Sequence, residues 1–301
     1  DALNYRAAWL WALTHRWTGT LAIDRAQAQV PFQVAGGTQK NTRTTNNRNF
    51  SLDGWLFGGW HLLGGYAQSD SETQQTLVGS PSFQNHKAEG GLRYVAQSGN
   101  SITFMQRSAP TPLNQPLDPV NLIDTNYTDT ESELRVHWNR GKSSLDGNLT
   151  YKKRTNEHFA VRNFSGTAGE LRYDWTPTGK LHFNITSTRA ILPYLAFGNT
   201  IENSSYKVDR ILLLASEWNV DAKITVRLNF ARTLSDYRGP AFAPPPSPVR
   251  NDEFRIARIG VVWIPARFVT LNASLERSQR TSNNASFEFT DTIATVGALV
   301  N

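Results

Sequence analysis

Polar and apolar residues alternate along this chain. In Ser144-Leu145-Asp146-Gly147-Asn148-Leu149-Thr150-Tyr151, one set of positions reads Leu, Gly, Leu, Tyr and the other Ser, Asp, Asn, Thr. Segments 224–230 and 269–276 alternate as strictly, and Leu171, Tyr173 and Trp175 interleave with Glu170, Arg172 and Asp174. Successive side chains of a β-strand point to opposite faces, so this period predicts strands with one oily and one polar face.

The connections between these segments fall into two kinds. Short turn signals occur at Thr14-His15, Gly58-Gly59, Ser98-Gly99-Asn100, Arg140-Gly141-Lys142, Pro177-Thr178-Gly179, Val220-Asp221-Ala222 and Pro265-Ala266. They recur at intervals of roughly 40 residues, the length of two strands and two connections. Between them lie longer polar stretches at 36–49, 69–85, 109–126 and 238–251, the last carrying Pro244-Pro245-Pro246. Outer-membrane barrels show this asymmetry, with tight periplasmic turns and longer extracellular loops. Soluble β-sandwiches have connections of mixed length at both ends.

The expected fold is therefore all-β: a transmembrane antiparallel up-and-down β-barrel occupying residues 1–301 as a single domain. Two strands per short turn, plus one over 287–300, make about 15. Single-chain bacterial barrels have even numbers, and a first strand near 3–13 would begin on the outside. The expectation is an intact barrel of about 16 strands whose native first strand precedes Asp1; a misread loop or a hidden strand is the competing explanation. The run 294–301 resembles the terminal strand of outer-membrane proteins but has no final aromatic residue.

A sheet inside hydrocarbon must close on itself, because every backbone N–H and C=O needs a partner. The predicted lipid-facing positions include Leu134/Val136/Trp138, Leu181/Phe183/Ile185 and Ile259/Val261/Trp263. Trp11, Trp138, Trp175, Trp218 and Trp263 each precede a short turn, as membrane-interface aromatics would. Ordinary core tryptophans of a soluble barrel are the alternative. The predicted inward face carries Glu89, Arg93, Arg107, Glu133, Arg135, His137, Glu170, Arg172, Asp174, Arg189, Arg227 and Glu276. A packed interior does not hold so many charges, whereas sixteen strands enclose an aqueous channel.

Composition narrows the function classes. Hydrophobic residues make up 39% and charged residues 19%, and no window of eighteen apolar residues exists, so no transmembrane helix is readable. The absence of cysteine removes disulfides, zinc–thiolate sites and a thiol nucleophile. The net charge of +6 favours anionic polymers, yet no cluster of five basic residues occurs, and nucleic acid is not an expected partner. No two of the six histidines stand at i, i+2, and there is no Gly-x-Ser-x-Gly, so no metal, cofactor or catalytic set is expected. A Ser–His–acid set assembled from distant positions stays open. Arg93, Arg107, Arg135, Arg172, Arg189 and Arg227 form a possible track for carboxylates or sulfates. The pairs Glu133/Arg135 and Glu170/Arg172 point instead to mutual bracing of the wall.

Several phrases resemble the EpsL-like outer-membrane proteins encoded with exosortase-associated exopolysaccharide pathways. They are YTDTESELRVHW (127–138), GKSSLDGNLTYKKR (141–154), RNFSGTAGELRYDWTPTGKLHFNITSTR (162–189) and ERSQRTSNNASFEFT (276–290). The resemblance runs from about Leu92 to the C-terminus and is weaker before that. Asn163 stands where the usual run has an aspartate. The resemblance implies an outer-membrane channel exporting exopolysaccharide through a charged aqueous lumen. Such a channel would touch outer-membrane lipid and lipopolysaccharide and work with periplasmic polysaccharide-export proteins. A general diffusion porin, a non-catalytic docking barrel and an outer-membrane enzyme remain the alternatives.

Overall fold

A computed structural model describes residues 3–29, 42–73, 82–114, 117, 124–193, 206–238 and 250–300. The proline-rich stretch 240–248 lies outside them. The described residues form fifteen strands: β1 (Tyr5–Thr14), β2 (Trp17–Gln29), β3 (Thr42–Phe57), β4 (Trp60–Thr73), β5 (Ser82–Val95), β6 (Ser101–Asn114), β7 (Asn126–Arg140), β8 (Ser143–Asn156), β9 (Phe164–Thr178), β10 (Leu181–Pro193), β11 (Tyr206–Asn219), β12 (Ile224–Arg238), β13 (Asn251–Ala266), β14 (Val269–Ser282) and β15 (Phe289–Val300). They hydrogen-bond in chain order, from β1 to β15, as one sheet. Two single-turn 3₁₀ segments, Ala160–Arg162 and Ala285–Phe287, join β8 to β9 and β14 to β15. The chain divides into two compact units, 1–135 with 150–166, and 136–149 with 167–301.

The two kinds of connection are present. At one set of ends, strands are joined by two to five residues; at the other, by six to twelve. Gly58 and Gly141 adopt φ of 52° and 60° in their two-residue turns, a left-handed conformation that other residues enter at a cost. Three short turns lie slightly later than their sequence signals, at His15-Arg16, Gly179-Lys180 and Arg267-Phe268. Pro177 and Pro265 are the penultimate residues of β9 and β13 and do not make the turns. At the other ends the strands run further than expected. Residues 42–49 and 69–73 read as loop because both of their faces are polar, and 82–85 and 109–114 because they lack a clean alternation and 109–114 carries two prolines, yet all four belong to strands.

Register fixes the faces. In the first unit Trp17, Gly54, Leu62, Leu92 and Phe104 align across β2 to β6 on one face. Asp53, Arg93 and His61 lie on the other. In the second unit Ile185, Leu214 and Phe230 align, as do Leu228, Ile259 and Leu275. These apolar side chains are open to the surroundings: Leu228 is 49% exposed, Ile259 45% and Leu275 51%. The few buried large side chains include Met105, Phe164 and Val208. A water-soluble fold hides its oily face because each Å² of apolar area removed from water is worth about 25 cal/mol. Here the oily face of the sheet is the uncovered one, which requires lipid against it.

Candidate functional site

The charged face is the candidate site, and alternation in β7 generates its densest part. Asp129, Glu131, Glu133, Arg135 and His137 occupy every second position, opposite in direction to Leu134, Val136 and Trp138. Arg107 on β6 reaches this row. Its Nε donates to Glu89 Oε2 at 2.9 Å, its Nη2 lies 2.5 Å from Glu133 Oε2, and its Nη1 lies 3.6 Å from Glu131. Glu89 stands directly across from Arg107 in the β5–β6 register and also pairs with Lys87 at 3.4 Å. Arg135 Nε lies 2.9 Å from Glu133 Oε1. From β8, Lys152 lies 3.1 Å from both Asp129 and Glu131, and Arg154 grips Asp129 through two bonds of 2.7 Å. The guanidinium of Arg154 also covers the Tyr127 ring, 3.8 Å from its centroid.

This network holds five cations (Lys87, Arg107, Arg135, Lys152, Arg154) and four carboxylates (Glu89, Asp129, Glu131, Glu133), a surplus of one positive charge. Glu133 is the most enclosed, at 7% side-chain exposure, and Arg107 is 12% exposed. Two charges this enclosed are tolerable because each lies within ion-pair distance of opposite charges. A second cluster, Asp53 with His61 at 2.7 Å and with Arg93, bridges β3 to β5. A concavity of about 850 Å³ opens on this face, lined by Asp53, Leu63, Lys87, Glu89, Arg107, Glu131 and Arg135 among others.

The second unit repeats the pattern with more exposed pairs. His137 meets Asp146 at 2.5 Å, Arg172 meets Asp174 at 3.0 Å, Arg227 meets Glu217 at 2.8 Å, and Arg258 lies 4.0 Å from Glu276. Glu170 accepts a hydrogen bond from Thr188 at 3.2 Å. The basic members of these pairs are about half-exposed (Arg172 56%, Arg227 53%, His137 47%), and Asp174, Glu217 and Glu276 are more enclosed.

The structure therefore puts Glu89, Arg93, Arg107, Glu133, Arg135, His137, Glu170, Arg172, Asp174, Arg227 and Glu276 on the charged face. Arg189 is a correction. It pairs with Gly169 on β9 and Arg210 on β11, in the same parity as Phe183 and Ile185, so it lies on the apolar face. No bulge separates Ile185 from Arg189 to reverse its direction. Trp11, Trp138, Trp175, Trp218 and Trp263 all share the apolar face near the short turns, and Trp175, Trp218 and Trp263 are 43–47% exposed. Sequence reasoning does not single out Asp53, His61, Asp129, Glu131, Lys152 and Arg154. Their signal is present as alternate-position charge, but the partners come from neighbouring strands.

At the long-connection end, Asp124 clips the β8–β9 segment to the start of β7. Its two carboxylate oxygens accept from the backbone N–H of Thr125, Asn126, His158 and Phe159 and meet the His158 ring at 2.9 Å. Burial pushes the Asp124 carboxyl up, but these hydrogen bonds, led by the His158 ring, outweigh it and hold the group at about 2. The same contact raises His158. Asp124, Glu157 and His158 stand as close together as metal ligands do, yet the Asp124 oxygens are already engaged by donors of the chain itself, so the cluster is a structural clip.

No family model matches the chain, and no curated protein matches it. Solved structures do. The chain is similar to the alcaligin outer-membrane receptor FauA of Bordetella pertussis, with TM-score 0.54 and 9% identity over 98% of this chain and 56% of that one. It is similar to the siderophore receptor PirA of Pseudomonas aeruginosa, with TM-score 0.53 and 11% identity over 98% and 62%. It is similar to the FrpB iron transporter of Neisseria meningitidis, with TM-score 0.58 and 10% identity over 92% and 52%. The chain spans between half and two thirds of the length of these structures. An uncovered apolar face, tight turns at one set of ends and this likeness together give the chain the outer-membrane β-barrel fold, with its apolar face against the lipid of the outer membrane.

Proposed function

We propose that this protein is a transport barrel of the outer membrane that guides a hydrated, anionic exopolysaccharide along its charged inner face. The observation that carries the reading is the arginine-bearing ion-pair network running from Lys87 to Arg154 beside an open concavity. A surface of guanidinium groups, from the enclosed Arg107 to the half-exposed Arg135, alternating with carboxylates gives a passing polymer many weak contacts and no deep trap, as conduction requires. The similar solved structures are named as receptors or transporters, which supports transport as the general role. The polymer is supported by the resemblance of 127–189 and 276–290 to exopolysaccharide-export barrels.

Planar-bilayer recording tests this. The expected result is stable conductance that an acidic polysaccharide added to one side interrupts, with flux of the polymer across proteoliposomes. Conductance with small-solute flux alone would establish a general porin. No conductance and no flux would overturn the transport reading in favour of a docking barrel.

A further inference from the structure

The lipid-facing side of the second unit carries a row of arginines that the transport reading does not use. Arg189, Arg232 and Arg277 are each the ninth residue of their strands, β10, β12 and β14. Register places Arg210 of β11 opposite Arg189, and Arg255 of β13 opposite Arg232. Five consecutive strands thus present an arginine outward at one level. A membrane-crossing strand needs about 9–11 residues, so this level is where the hydrocarbon ends on the long-connection side. At matching outward positions β4 to β7 carry Gln68, His86, Ser108 and Thr130.

The row is under-neutralised. Arg210 reaches Asp236 at 2.9 Å, and Arg232 and Arg255 share Glu253 at 2.6 and 2.7 Å. Arg189 has only the hydroxyl of Thr167, at 3.1 Å, and Arg277 has no partner among the described residues. Two acids against five arginines leave a surplus of three positive charges. Like charges placed directly across a ladder repel, so the pair Arg189–Arg210 calls for an external anion. Immediately toward the membrane centre lies an apolar groove of about 610 Å³, lined by Phe183, Ile185, Leu214, Phe230 and Leu275, with Arg277 at its rim. Cationic forks at the headgroup level above an acyl-sized oily groove match a lipid whose head is phosphorylated.

We infer that the outward arginine row of β10–β14 is a binding site for the phosphorylated glycolipid of the outer leaflet, holding its phosphates on Arg189, Arg210, Arg232, Arg255 and Arg277 and an acyl chain in the groove below. This site is independent of the lumen.

The test uses the full chain folded in detergent micelles, with fluorescent bisphosphorylated lipid A as the probe and its dephosphorylated form as comparison. The wild type should bind the phosphorylated probe, increasingly weakly as salt rises, and bind the dephosphorylated probe far less. The double variant R189Q/R277Q, whose side chains brace no acid, should bind about 30-fold more weakly, at about fivefold for each arginine near a lipid surface. The control R172Q, on the charged face, should bind like wild type. Millimolar inorganic phosphate should not displace the probe; full displacement would mean a free-anion site and overturn the lipid assignment. Equal binding of both probes, or an unchanged double variant, would also overturn it. Heat-modifiable gel mobility reports folding, and if the double variant does not fold, the comparison of the two probes on wild type decides.

Discussion

Trp11 lies directly across the β1–β2 ladder from Gly19, and its indole occupies the space a Cβ at position 19 would need. The Ser51 carbonyl closes the same space from β3. Gly54 and Trp17 repeat the relationship on the next strand pair. Gly19→Val should therefore displace the indole and cost about 1–3 kcal/mol, the usual range for overpacking. A shift in tryptophan emission together with a lower unfolding midpoint in detergent checks this. The silent outcome, normal stability with unchanged emission, would mean the ring does not rest on the glycine.

Arg107 and Arg227 both pair with glutamates, but in different surroundings. Arg107→Gln leaves Glu133, at 7% exposure, with Arg135 as its remaining cation and should cost about 2 kcal/mol, the penalty of an under-satisfied enclosed charge. Arg227→Gln releases an open pair, 53% and 39% exposed, and should cost less than about 1 kcal/mol. Urea unfolding of the two variants side by side measures the difference.

The clip at Asp124 has a pH window. Asp124 is held at about 2, below its ordinary 3.8, so its contribution is complete above about pH 4 and is lost as pH falls through about 2. His158 is raised from 6.5, so its contribution is complete below that value and is lost as pH rises through the higher folded value. The segment 157–162 should be best protected between roughly pH 4 and 6.5. Amide exchange at His158 and Phe159, corrected for intrinsic rates, should show that window in the wild type. Asp124→Asn should flatten it and cost about 1–3 kcal/mol of local stability.

Trp175, Trp218 and Trp263 face outward beside the short turns. Lipids brominated near the headgroup should quench their emission more strongly than lipids brominated near the bilayer centre. Equal quenching at all depths would remove these residues from the interface.

Much of the fold is legible because a membrane-facing strand writes its two environments into alternate letters. Fifteen strands, their order and the short turns all follow from that period. The ends of β3 through β6 are not legible, since Thr45, Asn47 and Ser69 are as polar as loop residues; neighbouring backbone, not side-chain pattern, holds them in the sheet. Arg189 falls on the wrong face in any reading that weighs its charge above its parity with Phe183 and Ile185. The pairing partners of the charged face, such as Arg107 with Glu133 or Arg154 with Asp129, depend on inter-strand register, which no single strand encodes.

The closeness of cations and carboxylates on the inner face has a mechanical meaning. A wall whose positive groups already lean on negative neighbours presents short-range dipoles, not a far-reaching field. Under the proposed transport role, a large charged chain would brush past such a lining without being gripped, and small ions of either sign would be only weakly sorted by it. Mutual neutralisation would then act as lubrication, and stripping the acids while leaving the arginines would turn a slippery surface into an adhesive one.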